Sequence, residues 1–300
     1  MGSTDNAPAV HPSGDATAIP KVKTDAHSRA VRYYRRFTRT ERVMHAFLML
    51  TFVGCALTGL PLLFSGKPWA TVLARLLGGF EAAGAIHRFC AFVMLTLFVA
   101  HLVVLVRRAI ADRDFLSMVW GPDSMVPQPR DGIDFYNHFK WFIGRGPRPQ
   151  FDRWTYWEKF DYWAVFWGMA IIGGSGLLLW FPVFFAKLLP GWMFNIASLV
   201  HGEEALLAVG FIFTIHFFNG HLRPEKFPMD TVIFTGRISE HELKAERTVE
   251  YERLVREGRL APKEAPAPTL ESKAFGWFVG GTALVLGIVA IVLIVYSVFT

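Results

Sequence analysis

The sequence predicts an all-α integral membrane protein, a helical bundle with a four-helix core and a fifth membrane-spanning helix at the C-terminus. Hydrophobic residues make up 52% of the chain and aromatic residues 15%, which is more apolar surface than one water-soluble core would hide. Five apolar stretches reach the roughly 17 to 25 residues that cross a bilayer. These stretches are residues 44–64, 86–106, 160–184, 197–219 and 274–298.

The distribution of basic residues predicts how the bundle is oriented. Lysines and arginines are concentrated before the first span and between the second and third spans, whereas the opposite connections hold only Lys67, Arg75 and Lys187. The positive-inside rule therefore places the N-terminus in the cytoplasm and, after five spans, the C-terminus in the periplasm of a cell inner membrane. This topology accounts for the net charge of +6, so the charge gives no reason to expect a nucleic-acid partner.

Polarity divides the chain into four parts. We expect a polar N-terminal segment whose residues 1–28 are disordered, and no cleaved signal peptide, because the first apolar run is too long for one. The other parts are the four-helix core with a cytoplasmic loop broken by glycine and proline, a charged helix followed by a proline-rich linker, and the fifth span. The bounds are 1–40 for the N-terminal segment, 41–235 for the core with its loop at 109–158, 236–270 for the charged helix and linker, and 271–300 for the last span.

Local patterns predict further elements. Residues 134–142 mix aromatic and polar residues at helical spacing, which is typical of a helix in the membrane interface. Ser239 and Glu242 have the spacing of a capping box, and we expect one charged helix over residues 238–260. The fifth span has no ionisable residue, and we assign it to packing, subunit contact or anchoring. Its glycines at 276, 280, 281 and 287 allow close helix approach.

The two cysteines, Cys55 and Cys90, both lie in spans, and neither belongs to a CxxC or CxxCH motif. This excludes covalently attached c-type haem, a cysteine-ligated iron–sulfur cluster and a disulfide framework in this chain.

Histidines inside the spans are the main candidates for a functional site, because a polar side chain in hydrocarbon is costly. His87 and His101 are 14 residues apart on the second span, and His201 and His216 are 15 apart on the fourth. At 100° and 1.5 Å per residue, each pair returns to within about 40° to 60° of one face, with its members about 21 to 22 Å apart in depth. The second and fourth spans run in the same direction, so His87 is expected opposite His201, and His101 opposite His216.

Two bis-histidine sites stacked across the membrane are typical of a transmembrane path through two haems. Zinc fits less well, since a closed zinc site usually gathers four ligands at one depth. The alternative is that each histidine only forms a hydrogen bond to a neighbouring helix. Glycines that let helices approach a macrocycle support the haem interpretation. They are Gly54, Gly59, Gly84, Gly173, Gly174, Gly176 and Gly210.

The remaining histidines are less regular. His45, at the start of the first span, competes with His101 as the partner of His216. His221 is 20 residues from His201, about 200° around an α-helix, which favours an interfacial residue. His11, His27, His138 and His241 lie in soluble segments and are expected to be solvated. Arg88 follows His87 and could either pair with a haem propionate or extend to the membrane surface.

Over residues 40–235, the chain resembles the cytochrome b subunits of membrane formate dehydrogenases and nickel–iron hydrogenases. The similarity lies in the Arg42-x-x-His45 pattern, in Ile86-His87, in the His201-to-His216 span and in the Gly176-Leu-Leu-Leu-Trp-Phe-Pro182 ending. The resemblance implies that His87 and His201 bind a periplasmic-side haem, that His45 and His216 bind a cytoplasmic-side haem, and that quinone reacts beside the latter. His101 and the 15-residue spacing depart from the family and instead resemble the cytochrome b of quinol:cytochrome c oxidoreductases. This leaves open whether His45 or His101 pairs with His216, and whether a third haem is bound.

The predicted function is that of a respiratory electron-transfer subunit within a quinone-linked oxidoreductase complex. It would hold two b haems and pass electrons between quinone or menaquinone and a periplasmic partner, either an iron–sulfur subunit or a multihaem cytochrome c. Glu41, Asn219, Arg223 and Asp230 are candidate quinone-site residues, and no catalytic residue is assigned. The alternatives are a transporter subunit and a haem-free membrane anchor; the direction of electron flow and the quinone type stay open.

Overall fold

The computed structural model describes residues 31–111 and 115–300. The expectations for residues 1–28, including His11 and His27, lie outside the described residues. Helices are α1 (Arg39–Leu63), α2 (Pro68–Leu76), α3 (Phe80–Ala111), α4 (Phe115–Trp120), α5 (Pro129–Phe142), α6 (Tyr156–Gly168), α7 (Gly174–Trp180), α8 (Pro182–Phe185), α9 (Trp192–Phe211), α10 (Val232–Thr235), α11 (Glu240–Glu246), α12 (Thr248–Arg256) and α13 (Leu270–Phe299), with one 3₁₀ turn at Ala261–Lys263. Strands are β1 (Tyr33–Arg35), β2 (Arg237–Ser239) and β3 (Glu264–Ala265).

The five predicted spans are confirmed as helices long and apolar enough to cross a membrane. Their bounds are Arg39–Leu63, Phe80–Ala111, Tyr156–Trp180, Trp192–Leu222 and Leu270–Phe299. Capping residues fix where two of them begin: Thr38 with Glu41 forms a capping box before the first span, and Thr155 with Glu158 forms one before the third. The all-α membrane bundle is therefore the architecture of the protein.

The third and fourth spans contain π-helical turns, which the sequence did not predict. One lies at Met169–Gly173, between α6 and α7, and two follow α9, at Ile212–His216 and Phe218–Leu222. A π turn contains more residues than an α turn, so each residue in it rotates by less than 100°. The faces that residues present along these two spans therefore drift away from the α-helical expectation.

The fifth span packs closely against the core through its glycines, as the sequence predicts for three of the four. A Cβ added at Gly287 would lie 2.1 Å from Phe213 Cδ1, one at Gly280 would lie 2.6 Å from Met229 Sδ, and one at Gly276 would lie 3.0 Å from Phe234 Cδ2. Gly281 has nothing within 4 Å of an added Cβ. At the far end of the helix, Trp69 of α2 donates a hydrogen bond to Ser297 (2.9 Å).

Outside the spans, three segments on one side of the bundle form a polar domain, which we define as residues 32–38, 115–155 and 223–269. Its strands form a small antiparallel sheet in the order β2-β1-β3, with Tyr34 opposite Ile238 and Glu264. The expected helix over 238–260 is wrong as one element. The capping box at Ser239 and Glu242 is present, but the chain begins as strand β2 and the helix breaks at Arg247 into α11 and α12.

Ion pairs hold the polar domain together. Glu250 is almost fully buried and accepts hydrogen bonds from Arg36 (2.8 Å) and Arg153 (3.1 Å), which joins the segment before the first span to the other two segments. Removing one partner of such a buried pair would leave an uncompensated charge, which typically costs about 3–5 kcal/mol. Burial is the main cause that lowers the pKa of Arg36 to about 10, and the neighbouring Arg153 adds to the shift.

His138, expected to be solvated, is instead buried on α5. Its ring stacks on Phe142, with centroids 4.6 Å apart, and contacts Trp157, while Nδ1 lies 3.0 Å from the Tyr156 hydroxyl. The solvated interpretation was wrong because the aromatic residues beside it in the loop and at the start of the third span close around the ring.

Candidate functional site

The first four spans enclose a large cavity. It has a volume of about 1600 Å³, is mostly apolar, and reaches the fifth span at Gly280 and Ala283. Pockets for single drug-sized ligands have volumes of roughly 300–1,000 Å³, so this cavity suits more than one such molecule or a very large one. His87 and His201 line one end, which we call the first end. The second end, beside the polar domain, is lined by histidines at 45, 216 and 221.

At the first end, the second and fourth spans bring His87 and His201 face to face, as their spacing predicts. Their ring centroids are 6.1 Å apart. A metal between two imidazoles needs centroids roughly 6 Å apart, since each metal–nitrogen bond is about 2 Å long and each nitrogen lies about 1 Å from its ring centre. The observed separation therefore fits one metal ion between the two rings.

The first span fixes the tautomer of His87. Nδ1 lies 3.2 Å from the Cys55 carbonyl oxygen and 3.2 Å from Thr58 Oγ1. The Thr58 hydroxyl donates its own proton to the Gly54 carbonyl (2.6 Å), so its oxygen is left to accept. Nδ1 is therefore the protonated nitrogen, and Nε2 keeps the lone pair that binds a metal.

The third span treats His201 in the same way. Nδ1 lies 3.0 Å from the Ile172 carbonyl and 3.3 Å from Ser175 Oγ, and the Ser175 hydroxyl donates to the Ile171 carbonyl (2.6 Å). Ile172 lies within the π turn of this span. Both histidines of the first end are therefore held as Nε2 ligands by a carbonyl and, three residues later, a hydroxyl.

A glycine completes each of these two sites. A Cβ on Gly59 would lie 3.1 Å from His87 Cε1, and one on Gly176 would lie 3.0 Å from His201 Cε1. Each glycine directly follows the hydroxyl residue, at Thr58 or Ser175. Only a residue without a side chain lets the imidazole sit this close to the neighbouring helix.

The second end is built differently. Nδ1 of His216 lies 2.9 Å from Oδ2 of Asp161 on the third span, which again leaves Nε2 free. His45 and His221 line the same end and interact electrostatically with His216. Three imidazoles therefore lie at the second end, where the spacing argument expected two.

His221 lines the cavity instead of lying on the far face of its helix. Its ring packs on Phe217, with centroids 5.4 Å apart, and its Nδ1 is buried with no hydrogen-bond partner in the described part of the chain. The 200° estimate assumed an α-helix throughout, and the two π turns between His201 and His221 reduce that rotation. The interfacial assignment of His221 was therefore wrong for a geometric reason.

His101 does not line the cavity. Its Nε2 lies 2.9 Å from the Tyr162 hydroxyl, and its ring also contacts Phe166. Of the two residues expected to compete for the place opposite His216, the structure brings His45 to the second end and gives His101 a hydrogen bond elsewhere.

The four predicted quinone residues have other contacts, and none lines the cavity. Glu41 caps the first span, the Asn219 carbonyl accepts from Arg223, the Arg223 guanidinium lies over Trp157, and Asp230 pairs with Lys226. Arg88 does line the cavity beside His87, where a propionate contact was expected.

Sequence reasoning missed the residues that orient the histidines: Thr58, Ser175 and Asp161. The first two carried a signal, because the tripeptides Thr58-Gly59-Leu60 and Ser175-Gly176-Leu177 recur in the first and third spans. Glu204 was also missed; it lines the cavity and accepts a hydrogen bond from Trp167 (3.2 Å).

These features fit haem. Axial ligands at the first end are at metal-binding separation, their free nitrogens are defined, and the cavity between the ends is large and apolar. The buried, unpartnered atoms at the second end, Nδ1 of His221 and Oδ1 of Asp161, are polar groups that a bound cofactor or substrate would satisfy.

Comparison with known proteins supports this interpretation. No curated protein matches the chain. The family model described as prokaryotic cytochrome b561 matches residues 15–121, about a third of the sequence, and this match implies haem b and a membrane electron-transfer role. The predicted resemblance to the cytochrome b subunits of formate dehydrogenases and hydrogenases is thereby confirmed, and the chain is a multi-pass membrane protein similar over those residues to prokaryotic cytochrome b561.

Proposed function

We propose that the chain is an electron-transfer subunit that holds two b haems, one at each end of the cavity, and connects a quinone with a redox partner across the membrane. The observation that carries this proposal is the matched pair of histidines at the first end. Two imidazoles on different spans are oriented by the same carbonyl, hydroxyl and glycine, with centroids 6.1 Å apart. A histidine that only satisfied a hydrogen bond would need neither this repetition nor this separation.

His87 and His201 would be the axial ligands at the first end. At the second end we assign His216 with His45, as the family resemblance implies, and both line the cavity there. When bound, the haem supplies one-electron chemistry. The protein residues hold the iron through Nε2, keep Nδ1 engaged elsewhere, and exclude water with the apolar lining.

The second end is the better place for quinone, because quinone chemistry also moves protons. Polar groups reach this end from the polar domain: Lys226, itself buried, forms ion pairs with Asp230 (2.9 Å) and Glu246 (3.0 Å), close to His221. With the cytoplasmic N-terminus predicted from the basic residues, this end faces the cytoplasm. The first end would then face the periplasm, where an iron–sulfur subunit or a multihaem cytochrome c would dock.

A photo-crosslinking quinone analogue on the haem-loaded protein tests this arrangement. We expect labelled peptides around His45, His216 and His221, competed by a quinone-site inhibitor. Labelling confined to peptides around His87 and His201 would contradict the placement of quinone.

A further inference from the structure

Asp161 is the one carboxylate in hydrogen-bond contact with a histidine of the cavity in the described part of the chain. Its Oδ2 accepts from His216 at 2.9 Å. Its other oxygen, Oδ1, is buried without a hydrogen-bond partner, and no lysine or arginine of residues 31–111 or 115–300 pairs with Asp161. The negative charge therefore faces the imidazole and the cavity with little other compensation.

The first end lacks such a charge on its ligands. Nδ1 of His87 and Nδ1 of His201 donate to backbone carbonyls and to the hydroxyls of Thr58 and Ser175, all of which are neutral. A carboxylate acceptor makes an imidazole a stronger electron donor than a neutral acceptor does. In a cavity of low dielectric constant its charge also acts over a longer range than it would in water.

We propose that Asp161 is a positioning residue that holds His216 in its ligating tautomer, and that its charge lowers the reduction potential of the haem at the second end. This inference rests on the proposed function, because it requires haem at that end. Electron donation through His216 and the nearby negative charge both stabilise oxidised iron, which is the more positive state. The two haems would then differ in potential because their ligands have different acceptors.

The test is a redox titration of one haem at a time. In a His201→Ala background, which removes the first-end haem, Asp161→Asn keeps the size of the side chain and an oxygen that accepts from His216. We expect the haem to be retained and its midpoint potential to rise, and Asp161→Glu, which keeps the charge, to move the potential back toward that of the parent. In a His216→Ala background, Asp161→Asn should leave the first-end potential unchanged.

An unchanged potential in Asp161→Asn with haem bound would overturn the inference. If Asn loses the haem and Glu keeps it at the parent potential, the positioning role is supported; loss from both variants would show a need of the fold and not of the charge, and would overturn it. Absence of haem from the unmutated chain would instead refute the proposed function, so the two failures are distinguishable.

Discussion

The two ends of the cavity hold histidines by different means. The first end is close to symmetric: His87 and His201 each donate Nδ1–H to a carbonyl and a hydroxyl, and each packs against a glycine. The second end is asymmetric, with His216 held by Asp161 and two further histidines close by. The difference indicates that the first end is a rigid site built only for a metal cofactor. The second end combines such a site with polar groups that serve proton exchange.

Removing a ligand should break one end and spare the other, and this is the largest effect we expect. His201→Ala should abolish haem at the first end and retain it at the second, because the remaining imidazole cannot supply both axial bonds. Haem content and the low-temperature absorption spectrum of the purified variant measure this. The matched control is His101→Ala, which removes an intramembrane histidine outside the cavity and should keep both haems; loss of one haem from it would reinstate His101 as a ligand.

A smaller effect should follow when a glycine of the first end gains a methyl group. Gly176→Ala places a Cβ 3.0 Å from His201 Cε1, and the ring cannot move away without weakening its Nδ1 contacts. Overpacking of this kind costs about 1–3 kcal/mol, so first-end haem affinity should fall by about tenfold or more. Gly174→Ala, on the same helix with nothing within 4 Å of its Cβ, should behave as the parent protein. Equal haem loss in both variants would refute the close-packing argument.

The hydroxyls should contribute less, because each shares its histidine with a carbonyl. Thr58→Val keeps the side-chain shape and the Cys55 carbonyl contact of His87 but removes one acceptor. One hydrogen bond is worth about 1 kcal/mol, so we expect about fivefold weaker haem binding at the first end and no change at the second. Haem-transfer titration to an apo-protein acceptor measures both affinities. A change at the second end would show that the two sites are coupled.

Acidification should affect the second end only, and modestly. Burial, together with the charges of Arg223 and Arg148, lowers the pKa of His138, which packs against the start of the third span. The unfolded chain therefore takes up a proton near pH 6.5 before the folded one does, so the stability that neutral His138 provides is present above that pH and is lost as the pH falls toward its folded pKa. Thermal unfolding in detergent from pH 7.5 to 5 should show loss of second-end haem first. His138→Phe should flatten the dependence; an unchanged pH profile in that variant would assign it to other groups.

How far the sequence predicts this protein depends on the kind of information each feature needs. Hydropathy alone defines the five spans, and the 14- and 15-residue spacings place histidines at two depths. The rotational position of His221 could not be predicted, because π turns are not visible in a hydrophobic pattern. Asp161 was overlooked because its partner is 55 residues away. The polar domain was predicted as one helix and a linker, since pairing of β1 with strands 200 residues later leaves no local signal.

The central claim is that each end of the cavity holds one haem between two imidazoles. The most direct test is the pyridine haemochrome content of the purified, full-length protein per mole of chain, measured together with the near-infrared and electron paramagnetic resonance signatures of bis-imidazole iron. The account predicts two b haems per chain, both six-coordinate and low-spin. A ratio of one or zero, or a high-spin five-coordinate signal that accounts for either haem, would contradict it.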